Sequence, residues 1–349
     1  MKAAVYYGPH DVRVEERQIP KAGPDEIVVK IDYCGVCGSD VEVYHGASVR
    51  PVMVMGHENV GTVYEVGENV TGFTVGQRLL CGPPSYCEDG CPACRSGRPN
   101  ICVHGLPKTA GIGGPDGGYE EYMRVADPKH KILIPIPESV DSKDAVLFDI
   151  VCVAYHGLRR SNFKMGDTVA VSGTGPIGLA AIQLAKAAGA SKVVAIGRRS
   201  NKREILMKYG ADECVFTQET DDLYGDVRKA LGNENGADVT LECAGAKESL
   251  LNCINTIAKP GSQVVLVGCV AEPIPELNFM SMLPREIDII SSFVYTEEEI
   301  KMYLELLNEK KISFPDMVTD IISLDELVEK GLDRKDRTGM LKILCKPGI

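Results

Sequence analysis

The stretch DTVAVSGTGPIGLAAIQLAKAAGA, residues 167–190, constrains the fold more tightly than any other part of the chain. It reads as a buried strand, a glycine-punctuated turn and a long Ala/Leu-rich helix. KVVAIG and NKREILMKYGA repeat the strand and helix, and ADVTLECAG, SLLNCINTIAKPG and SQVVLVG continue the alternation. Strands alternating with helices of this length predict parallel βαβ units, an α/β doubly wound sheet. Within the first unit, Gly173, Gly175 and Gly178 have the GxGxxG spacing. The spacing alone is weak, but here it follows a strand and opens a helix at Pro176 and Ile177. Glycines there let the backbone approach a pyrophosphate at the helix N-terminus. The plain alternative is a glycine-rich turn with no ligand.

A dinucleotide site of this kind expects a carboxylate about 20 residues on, at the end of the second strand, to bind the ribose 2′-hydroxyl. The chain instead has Gly197, Arg198 and Arg199. A carboxylate would repel a 2′-phosphate, whereas arginines bind one. The cofactor expected is therefore NADP(H) rather than NAD(H). Arginines solvated on the surface are the competing reading.

Residues 1–145 have a different rhythm. IVVKIDYC, VGTVYEVG and GQRLLCGP are short strands separated by turn residues, which predicts a β-rich barrel or sandwich. After the βαβ region come a strand at REIDIISSFVY, an amphipathic helix at EEEIKMYLELLNEKK and a closing strand at RTGMLKILCKP. This tail is too small to fold alone and is expected to pack on the first half. The domains predicted are 1–145 with 285–349, and 146–284.

A formal net charge of −11 lacks the basic footprint of a nucleic-acid partner. No apolar run reaches membrane-spanning length, and the opening segment lacks the apolar core of a signal peptide, so a cytoplasmic location is expected. Thirteen cysteines in a reducing compartment point to metal ligation rather than disulfides. Cys87, Cys91, Cys94 and Cys102 lie in one Gly/Pro-rich loop, as a closed tetrahedral zinc site requires. Four unrelated thiols would be expected in apolar core segments instead.

YCGVCGSD holds a second pair, Cys34 and Cys37, with no further CxxC to complete a four-sulfur site. A redox dithiol would open a helix beside a βαβ unit, but this pair lies in the β-rich half. MGHENVG supplies His57 and Glu58. One Cys, one His and a carboxylate make an open catalytic zinc site. Cys37 is then a ligand and Cys34 a packed strand residue.

Cys37, GHE, the four-cysteine loop, GGYEEY and GTGPIG, in that order, resemble the zinc-dependent medium-chain alcohol dehydrogenases along essentially the whole chain. The resemblance implies a GroES-like catalytic domain built from both chain ends, a Rossmann domain between them, two zinc ions per chain and a homodimer or homotetramer. It places the third catalytic-zinc ligand in LFDIVCVAYHGL, at Asp149, as in the NADP-dependent secondary alcohol dehydrogenases. Cys152 is the rival on chemistry, since thiolate suits zinc. Glu58 is a fourth ligand or an outer-shell group. Two departures stand out. The cysteine loop has one extra residue between its first two cysteines, and the aspartate-bearing relatives typically lack the loop.

The chemistry implied is hydride transfer between a carbinol carbon and the nicotinamide, with zinc polarising the substrate oxygen. Ser39 matches the hydroxyl that passes the alcohol proton toward solvent, and His45 either extends that relay or is a surface histidine. Asp40, Glu42, Tyr44 and His45 cluster near the metal segment and favour a polyol, sugar or other polar secondary alcohol. Two readings compete with this one. One is a redox-silent NADPH-binding interaction module. The other is a zinc-free enone or quinone reductase of the same superfamily, against which Cys37, His57 and Asp149 speak.

Overall fold

The computed structural model describes residues 1–87, 90–271, 273–336 and 339–349. The chain forms two units, Met1–Asp149 with Thr296–Ile349, and Ile150–Tyr295.

In the first unit, alternating residues make strands β1 (Lys2–Gly8), β2 (Asp11–Glu16), β3 (Glu26–Gly35), β4 (Met53–Val54), β5 (Glu58–Val66), β6 (Arg78–Gly82), β7 (Tyr122–Ala126) and β8 (Ile132–Pro135). β1 and β2 form a hairpin that pairs with β4. β3 is the organising strand, with β5 and β7 antiparallel to it. Its buried residues Ile27, Val29 and Ile31 join Tyr6, Leu79 and Tyr119 in the core.

The second unit contains β9 (Thr168–Ser172), β10 (Lys192–Gly197), β11 (Glu213–Phe216), β12 (Ala237–Glu242), β13 (Ala258–Leu266) and β14 (Asp288–Ser291). They form one parallel sheet in the order β11-β10-β9-β12-β13-β14. Ala170, Val194, Ile196 and Val264 are buried in it, as continuous apolar strands of a sheet covered on both faces must be. The order reverses direction between β9 and β12, the switch point where such sheets bind ligands.

The tail returns to the first unit. β15 (Val318–Ile322) pairs with β16 (Lys342–Cys345), and β16 runs antiparallel to β3 with Leu344 opposite Gly35. Residues 337 and 338 of the expected closing strand lie outside the described residues. The strand REIDIISSFVY is present, and its sheet is the parallel one. Its core, β14, pairs with β13 and extends the parallel sheet, so the second boundary falls at 295/296 rather than 284/285. The first falls at 149/150 rather than 145/146, inside the helix Phe148–Arg160.

Candidate metal centres and dinucleotide site

Register at one end of the first unit's sheet builds the first cluster. Gly35, the last residue of β3, pairs with Glu58, the first of β5, and Cys37 follows two residues after Gly35. A Cβ on Gly35 would lie 1.9 Å from Glu58 Oε2, so only glycine leaves room for that carboxylate. The helix Phe148–Arg160 brings Asp149 in on its first turn. Ligand atoms of Cys37, His57, Glu58 and Asp149 all lie within 4.8 Å of one another. One sulfur, one imidazole nitrogen and carboxylate oxygens form a donor set suited to zinc.

Cys34 and Cys152 are outside this group. Cys34 is fully buried opposite Cys345, and burial raises its thiol pKa well above the ordinary range. Cys152 is also fully buried and belongs to the second unit. Of the two candidates in LFDIVCVAYHGL, the geometry therefore brings Asp149 to the cluster.

Outer-shell partners, which the sequence reading did not assign, hold the ligands. Asp40 Oδ1 faces His57 Nδ1 at 3.4 Å. Its other oxygen accepts from the Tyr119 hydroxyl at 2.6 Å and from the Cys37 backbone N–H at 3.2 Å. Burial works to raise the Asp40 carboxyl, but His57 and these donors lower it, so Asp40 stays ionised. A carboxylate behind a ligating histidine turns its other ring nitrogen to the metal. Asp40 also sits three residues after the cap residue Cys37 of the helix Gly38–Tyr44, so its bond to the Cys37 N–H caps that helix.

Lys342 gave no such signal. The start of β16 carries its ammonium into an ion pair with Glu58, and Lys342 Nζ also donates to the Val36 carbonyl at 3.1 Å. Burial lifts the Glu58 carboxyl and Lys342 opposes that lift. Lys342 thus supplies a positive partner for Glu58 independent of any metal.

The expected polar cluster near the metal segment divides. Asp40 is buried against His57, and Tyr44 is buried in the core. Glu42 is exposed. His45 is a surface histidine, packed edge-on to His10 and Tyr44 with Nε2 3.6 Å from Asp333. Ser39 is exposed on the first turn of the helix Gly38–Tyr44. Asp40, Glu42, Tyr44 and His45 do not form one polar wall, because the helix buries one of its faces.

The second cluster is the cysteine loop. Cys87 and Cys94 sulfurs are 3.8 Å apart, as are those of Cys91 and Cys102. A disulfide needs about 2.05 Å. A tetrahedral zinc with bonds of about 2.3 Å spaces its sulfurs about 3.8 Å apart. All four ligand atoms lie within 4.8 Å of one another. The Cys91 N–H donates to Cys87 Sγ at 3.3 Å, and the Cys91 thiol is pulled below its ordinary range, chiefly by a backbone hydrogen bond from Cys94. Residues 88 and 89, in the stretch between the first two cysteines where the loop has its one extra residue, lie outside the described residues.

In the second unit, the turn after β9 carries the glycines. Gly173 has φ +127°, and a Cβ there would lie 2.8 Å from the Ala244 nitrogen. Gly178 packs against Gly173 O, where a Cβ would come within 2.0 Å, while Gly175 faces open space. Pro176 is the first helical residue, and Ile177 and Gly178 follow it. A cavity of about 300 Å³ is lined by Gly173, Thr174, Gly197, Arg198 and Arg199. Arg199 Nε donates to Gln218 Oε1 at 2.9 Å. Two residues missed from sequence shape this site. Lys202 Nζ donates to the Thr174 carbonyl at 3.2 Å. Glu242, fully buried, accepts from the Ala244 N–H at 2.9 Å and the Ser249 hydroxyl at 2.7 Å, which fixes the loop behind Gly173.

Residues 23–138 match the family model described as alcohol dehydrogenase GroES-like domain, and 176–309 the one described as zinc-binding dehydrogenase. The chain is 34% identical over 340 residues to a sorbitol dehydrogenase of Halalkalibacterium halodurans, covering 93% of this chain and 94% of that protein. It is 30% identical to an (R,R)-butanediol dehydrogenase of Bacillus subtilis, covering 99% and 100%. Among solved structures, a protein of Sinorhizobium meliloti, described as a zinc-binding dehydrogenase bound to NADP, superposes with a TM-score of 0.90 at 31% identity, covering 99% of both chains. No helix among the described residues is long and apolar enough to cross a membrane.

Proposed function

Because this chain belongs to the zinc-type medium-chain alcohol dehydrogenases, we propose that it oxidises a polyol or other polar secondary alcohol, or reduces the matching ketone, with NADP(H). The observation that carries the reading is the convergence of Cys37, His57 and Asp149, with Glu58 beside them. Relatives named for sorbitol, D-xylulose and butanediol support the substrate class.

Cys37, His57 and Asp149 would hold the catalytic zinc, whose Lewis acidity lowers the pKa of a bound alcohol. Asp40 orients His57. Lys342 keeps Glu58 paired, which leaves Cys37 and Asp149 as the negative charges facing the metal. Ser39 takes the alcohol proton and passes it toward solvent. Gly173, Gly175 and the helix start at Pro176, Ile177 and Gly178 hold the pyrophosphate of NADP(H), the hydride carrier. Gly197, Arg198 and Arg199 receive the 2′-phosphate, and Lys202 adds positive charge nearby. Cys87, Cys91, Cys94 and Cys102 hold a structural zinc.

The test is reduction of NADP⁺ and NAD⁺ across polyols, sugars and small secondary alcohols. NADP⁺ should be preferred. Arg198→Ala and Arg199→Ala should each remove a charge-assisted bond of roughly 1.5–3 kcal/mol, about tenfold or more in NADP⁺ affinity, with little change for NAD⁺. Equal binding of the two cofactors by the unaltered protein would reject the cofactor reading. Turnover of plain aliphatic alcohols alone would reject the substrate class.

The unit of function is proposed to be a homo-oligomer built on a dimer. β14 is the sheet's edge strand, and Phe279, Met280, Leu283 and Phe293 near it are 57–71% exposed. An edge strand flanked by exposed apolar residues invites pairing with a second copy across a two-fold axis. Sedimentation should give at least a dimer, and Leu283→Asp should shift it to monomer. A monomeric unaltered protein overturns this. The cytoplasm is the proposed location, since none of the thirteen cysteines is in a disulfide.

A further inference from the structure

The first unit contains a cavity of about 310 Å³ whose apolar wall includes Met123, Val125, Ile132 and Leu133. Cys37, Glu58 and Asp149 do not line it. Glu120 does, and it is only 3% exposed. Its backbone bridges to Ala3, and its neighbour Tyr119 sends a hydroxyl to Asp40. Alternation along extended backbone puts Glu120 on the opposite face.

The other charged groups of the cavity have partners. Arg17 Nη1 donates to Asp116 at 3.1 Å, and Asp116 also accepts from the Val54 N–H at 2.7 Å. Arg124 lies 3.6 Å from Glu26. Lys131 Nζ donates to Ser85 Oγ at 2.8 Å, and the Met1 ammonium to the Arg17 carbonyl at 2.8 Å. His57 faces Asp40. Among the described residues, no hydrogen bond or ion pair reaches the Glu120 side chain. A carboxyl buried without a partner is costly, and a ligand that supplies one removes the cost. The cavity's cations are already engaged, so an anion would have to displace those pairs, and it would leave the Glu120 carboxyl without a cationic partner.

We propose that this cavity binds a small organic ammonium ion, with its charge on Glu120 and its alkyl part on the Met123, Val125, Ile132 and Leu133 wall.

Binding is an ion exchange. Burial first, and then Asp116, push the Glu120 carboxyl up to about 9, while Arg17 and Arg124 pull the other way. Without ligand, Glu120 is therefore protonated at neutral pH. The balanced step is R–NH₃⁺ plus Glu120–COOH giving the R–NH₃⁺ carboxylate pair plus one H⁺ released, with no change in oxidation state. Affinity rises about tenfold per pH unit up to about 9. Stability has the opposite sign. The folded carboxyl titrates above its unfolded value of 4.5, so its contribution is complete below that pH and is lost as pH rises through about 9. The amine restores part of the loss at alkaline pH.

Calorimetric titration of the zinc-loaded full chain with n-propylammonium chloride at pH 6.5, 7.5 and 8.5, in buffers of different ionisation heat, tests this. The expected result is affinity rising about tenfold per pH unit, one proton released at pH 7.5, and neutral propionamide at least about tenfold weaker. Thermal melts should show a larger shift from the amine at pH 8.5 than at 6.5. Glu120→Gln, which keeps the side-chain shape, should bind at least about tenfold more weakly with no pH dependence. Four results would overturn the proposal. They are no binding, a flat pH profile in the unaltered protein, potassium or ammonium binding as tightly as the amine, and amine binding that survives Glu120→Gln, which would place it at the metal.

Discussion

Cys37→Ala will strip zinc from the four-ligand site and abolish turnover to within about 10⁻³ of the unaltered enzyme, while Cys34→Ala will leave both largely intact. The two cysteines are three residues apart, and the same atom is removed from each. Their surroundings differ. Cys37 caps a helix beside His57, Glu58 and Asp149, whereas Cys34 is sealed between β5 and β16 opposite Asn59 and Cys345. Changing an outer-shell partner of a metal ligand typically costs about 10–100-fold, so losing a ligand must cost more. Cys34→Ala removes one buried sulfur and should cost roughly 1 kcal/mol of stability. Asp149→Ala should follow Cys37→Ala, Cys152→Ala should follow Cys34→Ala, and Asp40→Asn should fall between them. Zinc content by mass spectrometry and turnover, measured on all five variants, decide the matter. Loss of the catalytic zinc from Cys34→Ala with Cys37→Ala unaffected would reverse the assignment.

Cys94→Ser will lower the melting temperature by about 5–10 °C, equivalent to roughly 2–5 kcal/mol, the range for losing a native cross-link. The loop from Cys87 to Cys102 has little apolar material of its own. Its core consists of the cysteines themselves with Tyr86 and Ala93. Metal is therefore what closes it, and binding energy there is folding energy. Turnover per folded molecule should fall much less than stability, because the catalytic ligands sit just after β3, at the start of β5 and on the helix Phe148–Arg160. Zinc stoichiometry should drop from two to one. Unchanged melting and unchanged zinc content together would mean that the cysteine loop holds no metal.

The sequence by itself determined what depends on local order. The alternation of apolar strands with Ala/Leu-rich helices was enough to specify a parallel sheet, because each element carries its period within a dozen residues. The glycine spacing and the four clustered cysteines were legible for the same reason. Among the catalytic-site residues, Cys37, His57 and Glu58 stood out as residue types near one another in the chain, and Asp149 came through resemblance to a family. The tertiary structure decided the rest. Nothing local in LFDIVCVAYHGL separates Asp149 from Cys152; which of them comes within reach of Cys37 and His57 does. Nothing in GMLKILCK announces that Lys342 pairs with Glu58, since the contact exists only because β16 returns to β3. Asp40 looked like a residue facing substrate and is instead the support behind His57. Glu120 stood in the GGYEEY motif with no role assigned and is a buried carboxyl in a cavity. In each case the deciding interaction joins residues distant in sequence, or depends on which face of an element is buried, and short-range periodicity carries no information about either.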